Sequence, residues 1–209
     1  MALSRTQLAK AGFTDLSEAL VQLEKVCELT DGDAELILRS IHNSADPDRA
    51  ISWLLRLSQS ETALKAVKKL LGEEGATTRL LSILGGSKGL AEFIEHHPHT
   101  LTFFHDEPGL PGDQEKMRAT LLKSVGAAKG FAKSGGDAAR DALRIHYREL
   151  LLKIAIWDLG HEDPLHQIEW VTGSLSDIAG GALEAGLAIA RTEVAENFST
   201  DEVALVDLA

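Results

Sequence analysis

The chain of 209 residues has one cysteine, Cys27, which excludes an internal disulfide framework. Tryptophan, tyrosine and phenylalanine together make up only 5% of the residues. No apolar run approaches the roughly 18 residues that a transmembrane helix requires. The first ten residues, MALSRTQLAK, lack the apolar block of a signal peptide. Together these absences predict a cytoplasmic protein with a free thiol.

Basic side chains are also scarce, because 21 Lys and Arg stand against 32 Asp and Glu, for a formal net charge of −11. Nucleic acids and anionic membranes both require a basic surface, so the acidic balance argues against either as the main partner. The length suits one domain or two small ones, and a chain of this size buries roughly 70% of its unfolded surface.

What the chain has in quantity is alanine and leucine, which favour helices, while the residues typical of strands are few. Apolar residues recur at steps of three and four, between capping signals such as Asp15, Asp46-Pro47 and Ser87. We therefore predict an all-α fold. It is an array of about ten short-to-medium helices with a long central helix at 138–159 and no sheet of its own.

The pattern divides the chain into four segments. Residues 1–125 form an N-terminal helical arm, 126–136 a Gly-rich linker or exposed loop, and 137–198 two further helical stretches. Residues 199–209 are either a fraying helix end or the first strand at the start of a further domain. Within the last helical stretch, Thr172 or Ser174 is expected to cap a new helix. Gly180, Gly181 and Gly186 each cost helix stability, which indicates that another backbone packs closely there.

Two kinds of motif suggest phosphate or metal chemistry, and for both a structural explanation is favoured. The glycines at 85–89 and 126–136 do not fit G-x-x-x-x-G-K-[ST] and follow no strand, so we interpret them as helix breaks. The D-x-D pairs, Asp31 with Asp33 and Asp46 with Asp48, are placed at helix starts, where aspartate is favoured by capping.

Histidine, cysteine and serine give little support for a catalytic centre. The groups at 95–99 and 161–166 are rich in histidine, but His96 and His97 are adjacent and point about 100° apart on a helix, which is unsuited to one zinc ion. Cys27 is predicted to be a small core residue. No G-x-S-x-G motif is present. We assign no catalytic, cofactor or metal residue.

One candidate docking surface remains, on the long central helix. Arg140, Arg144 and Arg148 recur every four residues and form a basic stripe. The simplest explanation is a solvated face paired with Asp141 and Glu149. The alternative is a surface that binds an acidic partner or a phosphate-bearing ligand.

Three stretches in register resemble one family, the bifunctional glutamine synthetase adenylyltransferases (adenylyl-removing enzymes). The first reads LLSILGGS at 80–87, followed by LAEFI at 90–94 and His97-Pro98. The second, LRIHYRELLLKIA at 143–155, is similar to the helix that precedes the family's first catalytic domain. The third begins with LSDIA at 175–179 and resembles the helix after it. The order and spacing match over 76–195.

The resemblance implies a large enzyme that uses ATP and Mg²⁺ to attach AMP to a tyrosine of glutamine synthetase and removes it by phosphorolysis. A nitrogen-signalling regulator and a downstream nucleotidyltransferase domain are the further partners implied. The family's Ser-Asp-x-Asp metal motif is absent from these residues, so no catalytic residue is carried over and the chain alone is expected to be inactive. The alternative hypothesis is a stand-alone helical protein–protein interaction module without enzymatic activity.

Overall fold

A computed structural model describes residues 4–105, 113–160 and 164–198. These ranges contain ten α-helices and one 3₁₀ helix, with no strand, which confirms the all-α prediction. The chain divides into two compact units, one of residues 1–109 with 155–164 and one of 110–154 with 165–209. Within the described ranges no helix is both long enough and apolar enough to cross a bilayer.

The first unit is built from short helices in chain order. They are α1 (Arg5–Lys10), α2 (Leu16–Thr30), α3 (Ala34–Ile41), α4 (Pro47–Gln59), α5 (Glu61–Leu70), α6 (Glu74–Gly86), α7 (Lys88–His96) and the 3₁₀ helix Pro98–Phe104.

Capping side chains set where many of these helices begin. Asp15, Asp33, Asp46 and Ser87 each accept a hydrogen bond from a backbone N–H in the first turn of α2, α3, α4 and α7. Such a bond satisfies one of the N–H groups that a helix start leaves without an acceptor. The predicted caps at Asp15, Asp46 and Ser87 are therefore confirmed.

Helices α4 and α6 form the centre of the first unit. Helix α4 packs against α2, α5 and α6, and α6 also packs against α3. Their facing side chains have no solvent exposure; they include Ile51, Leu54, Leu57, Leu80, Leu81 and Leu84. This apolar contact supplies the main stabilisation of the unit, because each fully buried Leu or Ile contributes about 1.5–3 kcal/mol.

The end of α6 lies directly against the segment that leads into α4. A Cβ on Gly85 would overlap the hydroxyl of Ser44 and lie 2.7 Å from the carbonyl oxygen of Asp46. The guanidinium of Arg49 donates to the carbonyl oxygen of Gly85. Gly85 is thus required by a close backbone approach, and Ser87 rather than Gly85 ends the helix.

Asp48 of α4 forms hydrogen bonds with the segment between α1 and α2. Its Oδ2 accepts from the N–H and the hydroxyl of Thr14, at 2.9 and 2.7 Å, and Oδ1 accepts from the N–H of Asp15 at 3.3 Å. Burial alone would raise the pKa of Asp48, but these donors outweigh it and hold the pKa below its usual 3.8. The carboxylate is therefore the form that stabilises this junction.

The second unit contains α8 (Gln114–Ser124), most of α9 (Asp137–Leu159) and most of α10 (Pro164–Asn197). Its buried side chains form two clusters. One combines Met117 and Leu121 of α8 with Leu150, Ile154 and Ile178. The other is rich in alanine and consists of Val125, Ala132, Ala139, Ala185, Ala188 and Ile189.

Helix α10 runs unbroken through the position where a new start was expected, so the prediction of a cap at Thr172 or Ser174 is wrong. The hydroxyl of Thr172 donates backwards to the carbonyl oxygens of Ile168 and Glu169, at 2.7 and 3.1 Å, instead of accepting from a first-turn N–H. Ser174 is buried within the helix. Back-bonding of this kind lets serine and threonine sit inside a helix.

The outward face of α10 carries several large apolar side chains. Ile178 is buried, but Leu183 is 76% exposed and Leu187 is 50% exposed. The other exposed apolar residues of this helix are Leu165, Ile168, Leu175 and Val194. Periodicity marked the apolar residues correctly, but the helix buries only one of the faces on which they lie.

The glycines of α10 differ in their surroundings, which leads to a prediction. A Cβ on Gly181 would lie 3.0 Å from Leu121 Cδ1 and 3.1 Å from the Arg118 Cα, whereas Gly180 has no neighbouring atom within 4 Å. The expected close backbone approach is therefore present at Gly181 and absent at Gly180 and Gly186.

Both positions lie in the same helix, so alanine brings the same gain in helix propensity at each. We expect Gly181→Ala to be less stable than Gly180→Ala by about 1–2 kcal/mol, because α8 must shift to admit the methyl group. Urea unfolding of the two variants measures this difference. Equal stabilities would mean that α8 and α10 do not approach this closely.

Candidate functional site

The three arginines of the predicted basic stripe are all exposed on α9, but they have different partners. Arg140 Nη2 donates to both carboxylate oxygens of Glu193, at 2.7 and 2.8 Å, and Nη1 donates to Asp137 at 3.0 Å. Its charge is therefore used to join α9 to α10. Arg140 supports the structure, and this contact leaves little of its charge for a partner.

Glu193 also holds the loop that precedes α9. Its Oε1 accepts from the N–H of Gly136 at 2.7 Å, and its side chain is only 27% exposed. One carboxylate thus links the loop, α9 and α10. Because charged hydrogen bonds are stronger than neutral ones, the bonds to Arg140 make this a strong link.

Arg144 is more exposed than Arg140. Arg144 pairs with Asp141 at 2.8 Å, and the two side chains are 68% and 62% exposed. An exposed pair of this kind is worth roughly 0.3–0.5 kcal/mol, so a binding partner can displace it easily. The predicted pairing with Asp141 is confirmed for Arg144.

A groove of about 420 Å³ lies between α9 and α10 beside these arginines. Gly186 forms part of its floor, and a side chain there would meet no atom within 4 Å. The lining residues are Arg140, Leu143, Arg144, Gly186, Ile189, Ala190 and Glu193. The groove is therefore an apolar trough with charged rims.

The Gly-rich loop 126–136 has an ordered conformation. Ala128 and Phe131 exchange backbone hydrogen bonds at 2.8 and 3.1 Å, and Lys129 and Gly130 between them have φ of +53° and +81°. Positive φ at both central residues is typical of a type I′ turn in a two-residue hairpin. Lys129 therefore lies at the tip of a tight turn.

Helix α10 holds this turn in place. The N–H of Ala132 donates to the carbonyl oxygen of Ala188 at 3.1 Å, and the hydroxyl of Thr192 donates to the carbonyl oxygen of Ala132 at 3.0 Å. The N–H of Lys133 donates to the carbonyl oxygen of Val125 at 3.0 Å. Most backbone N–H groups of the loop are thus occupied within the protein.

Neither glycine segment forms a cradle for the phosphates of ATP. Most amides of the loop are engaged, and the space beside Gly85 is filled by Ser44 and Asp46. In the ranges that the structure describes, no three His, Cys, Asp or Glu side chains are close enough to hold a metal ion. The described residues therefore do not fit ATP with Mg²⁺.

The aspartates of the D-x-D pairs cap helices or bond to neighbouring segments. Asp33 and Asp46 cap helix starts, as expected. Asp31, in contrast, follows the end of α2 with φ of +57° and pairs with Lys68 at 2.8 Å, while Asp48 holds Thr14. The placement at a helix start is therefore confirmed for Asp46 and Asp48, which cap and begin α4, and for Asp33, and it is wrong only for Asp31, which ends α2.

The remaining candidates also have structural partners. His96 Nδ1 bonds to the carbonyl oxygen of Glu92 at 2.7 Å, and the ring of His97 lies 4.6 Å from that of Phe93. The segment 161–163 of the second histidine group lies outside the described residues. Cys27 is half-buried, so its assignment to the core is wrong; burial raises the pKa of its thiol, and the charges of Asp33 and Glu24 add to this.

Comparison with known proteins finds relatives that share one description, "bifunctional glutamine synthetase adenylyltransferase/adenylyl-removing enzyme". A relative from Leifsonia xyli subsp. xyli is 37% identical over 196 residues, which cover 91% of this chain. Relatives from Bifidobacterium longum subsp. infantis and Streptomyces avermitilis are each 30% identical over 209 residues, covering 93% and 96% of this chain. No family model and no solved structure matches.

The chain spans only 19% of the length of each of these relatives. The match is nevertheless continuous over almost the whole chain and includes both units. It confirms the resemblance that the motifs at 80–98, 143–155 and 175–191 indicated. The chain is a homologue of a partial, N-terminal region of bifunctional glutamine synthetase adenylyltransferase/adenylyl-removing enzymes.

Proposed function

We propose that this chain is the N-terminal helical region of a cytoplasmic enzyme that attaches AMP to a tyrosine of glutamine synthetase and removes it by phosphorolysis. The observation that carries the proposal is the 37% identity to a relative of that description over 91% of the chain. In this proposal the chain contributes no catalytic residue. ATP and Mg²⁺ bind to the nucleotidyltransferase domain that follows it.

The role of the region is then to support that domain and to bind protein partners, namely glutamine synthetase and a nitrogen-signalling regulator. Arg140, Arg144 and Arg148 are the proposed docking surface. Because Arg140 is held by Glu193, the more exposed Arg144 is the better placed of these two to meet a partner. Carboxylates of the partner would replace Asp141 at Arg144.

A chimaera tests both parts of the proposal. This chain replaces the matching region of the Leifsonia xyli relative, and transfer of AMP to glutamine synthetase is followed by mass spectrometry. We expect the chimaera to be active. Introducing Arg144→Glu with Arg148→Glu should raise KM for glutamine synthetase about tenfold, with little change in kcat, because docking charges act mainly on encounter.

The matched control reverses two exposed lysines of α5, Lys65→Glu with Lys69→Glu, and should leave KM unchanged. A folded but inactive chimaera would contradict the proposed function. An active chimaera whose KM does not respond to reversal at Arg144 and Arg148 would contradict only the docking surface.

The alternative, a helical interaction module without any link to catalysis, is favoured by one observation. Large apolar side chains such as Leu183 and Leu187 face outward along α10, and contiguous exposed apolar surface marks sites of association. This alternative predicts that the folded chimaera has no transferase activity while the chain still binds a protein partner.

A further inference from the structure

A second basic surface lies at the Gly-rich loop, away from the arginine stripe in sequence. We propose that Lys123, Lys129, Lys133 and Arg191 form a docking surface for a carboxylate-rich region of glutamine synthetase. This inference rests on the proposed function, from which it takes the partner. It assigns the contact to residues that the sequence patterns did not single out.

The first argument is the distribution of ion pairs in the second unit. Lys116, Arg118, Arg140 and Arg144 each pair with a carboxylate, and Arg148 and Lys153 have partners as well. Among the described lysines and arginines of this unit, those without an ion pair or side-chain hydrogen bond are Lys123, Lys129, Lys133 and Arg191. These four cations lie around one loop, whereas the described lysines of the first unit that also lack such partners are spread over three helices, namely Lys10, Lys25, Lys65 and Lys69.

The second argument is that the backbone brings these cations together. Lys133 is opposite Gly126, since a Cβ on Gly126 would lie 2.8 Å from Lys133 Cβ. Arg191 reaches over the turn, with Nη1 2.9 Å from the position of a Cβ on Gly130. Lys123 occupies the last turn of α8, where its carbonyl oxygen accepts from the N–H of Gly126 at 3.0 Å.

The third argument is that the surface is ordered before it binds. Lys129 has φ of +53°, a conformation that is unfavourable for lysine and that asparagine or glycine would adopt more easily. Contacts with Ala188 and Thr192 hold the turn in this shape. Because the loop is already ordered, little conformational entropy is lost when a partner binds. Individual charges on the loop can therefore contribute to affinity.

Charge complementarity selects a protein rather than a nucleic acid. The chain has a net charge of −11, which repels a long polyanion, and the surface offers four point charges rather than a basic face along a helix. A compact carboxylate cluster on a folded protein needs only local attraction, because salt screens interactions beyond about 8 Å.

The test measures binding of the full 209-residue chain to immobilised glutamine synthetase. The variant combines Lys129→Asn, Lys133→Gln and Arg191→Gln. Asparagine followed by Gly130 is the preferred type I′ sequence, so the turn is retained while its charge is lost. The control Lys25→Gln with Lys65→Gln and Lys69→Gln also removes three positive charges, from exposed positions of the first unit.

We expect the triple variant at the loop to bind about tenfold more weakly and with a smaller salt dependence, and the control to bind like the unmodified chain. Lys129→Asn alone should be folded and bind more weakly. Equal weakening by the control, no binding of the unmodified chain, or tighter binding to a 20-base-pair DNA duplex would overturn the inference. The activity of the AMP-transfer chimaera is a separate measurement. Loss of this inference in the binding experiment would therefore leave the proposed function standing if the chimaera is active.

Discussion

Replacing Gly85 with alanine is expected to destabilise the first unit by about 3 kcal/mol. The added methyl group would overlap the Ser44 hydroxyl and lie 2.7 Å from the Asp46 carbonyl oxygen, which is backbone and cannot rotate away. Moving α6 outward would relieve the overlap, but it would also separate α6 from the buried leucines of α4. Chemical unfolding monitored by circular dichroism measures the loss.

Two further variants separate this cause from a general effect of alanine. Gly89 in α7 has no neighbouring atom within 4 Å, so Gly89→Ala should leave stability unchanged or raise it by up to about 1 kcal/mol. Adding Ser44→Ala to Gly85→Ala should restore part of the loss, because the hydroxyl has no hydrogen-bond partner and makes the shortest contact, while the contacts with the Asp46 carbonyl oxygen at 2.7 Å and with Cβ of residue 44 at 3.2 Å remain. A Gly85→Ala protein as stable as the unmodified chain would contradict the packing of α6 on this segment.

Replacing Glu193 with alanine is expected to destabilise the second unit by about 2 kcal/mol. The substitution removes the acceptor of Arg140 and of the Gly136 N–H, so it frees the loop and one contact between α9 and α10 together. Hydrogen exchange should then become faster in the loop as well as at the start of α9, and thermal unfolding should begin at a lower temperature.

Glu169→Ala is the matched control, since Glu169 is an exposed carboxylate on the same helix. It should change stability by less than about 0.5 kcal/mol. If Glu193→Ala behaves like Glu169→Ala, the carboxylate does not hold the loop. Glu193→Gln should give an intermediate result, because its amide oxygen still accepts from Gly136 but carries no charge for Arg140.

Local signals were sufficient for most of the fold. Capping residues such as Asp15, Asp46 and Ser87, combined with apolar spacing, predict the starts of α2, α4 and α7 correctly. They fail at Thr172, because a hydroxyl can cap a helix start or bond backwards inside a helix, and the sequence does not distinguish the two. They also do not tell which apolar face of α10 is buried, since that depends on packing partners that only the tertiary structure provides.

The candidate surfaces were predictable to a smaller extent. The four-residue spacing reveals the arginine stripe, but not that Arg140 is held by a carboxylate 53 positions away. The sequence analysis did not single out the second basic surface, because Arg191 is about sixty positions away from the lysines in sequence. The packing of α10 brings Arg191 close to the loop. A Lys-Gly pair between short apolar segments is a weak hairpin signal that could have indicated the turn.

The hairpin at Lys129 depends on acceptors and donors that the chain supplies about sixty residues later, at Ala188, Thr192 and Glu193. The docked α10 therefore supports the turn beyond the hairpin's own hydrogen bonds between Ala128 and Phe131. Proteases such as trypsin require an extended substrate around lysine, so faster cleavage at Lys129 or Lys133 would report loss of the contact with α10. Resistance of these two bonds is thus a probe of the docking of α10.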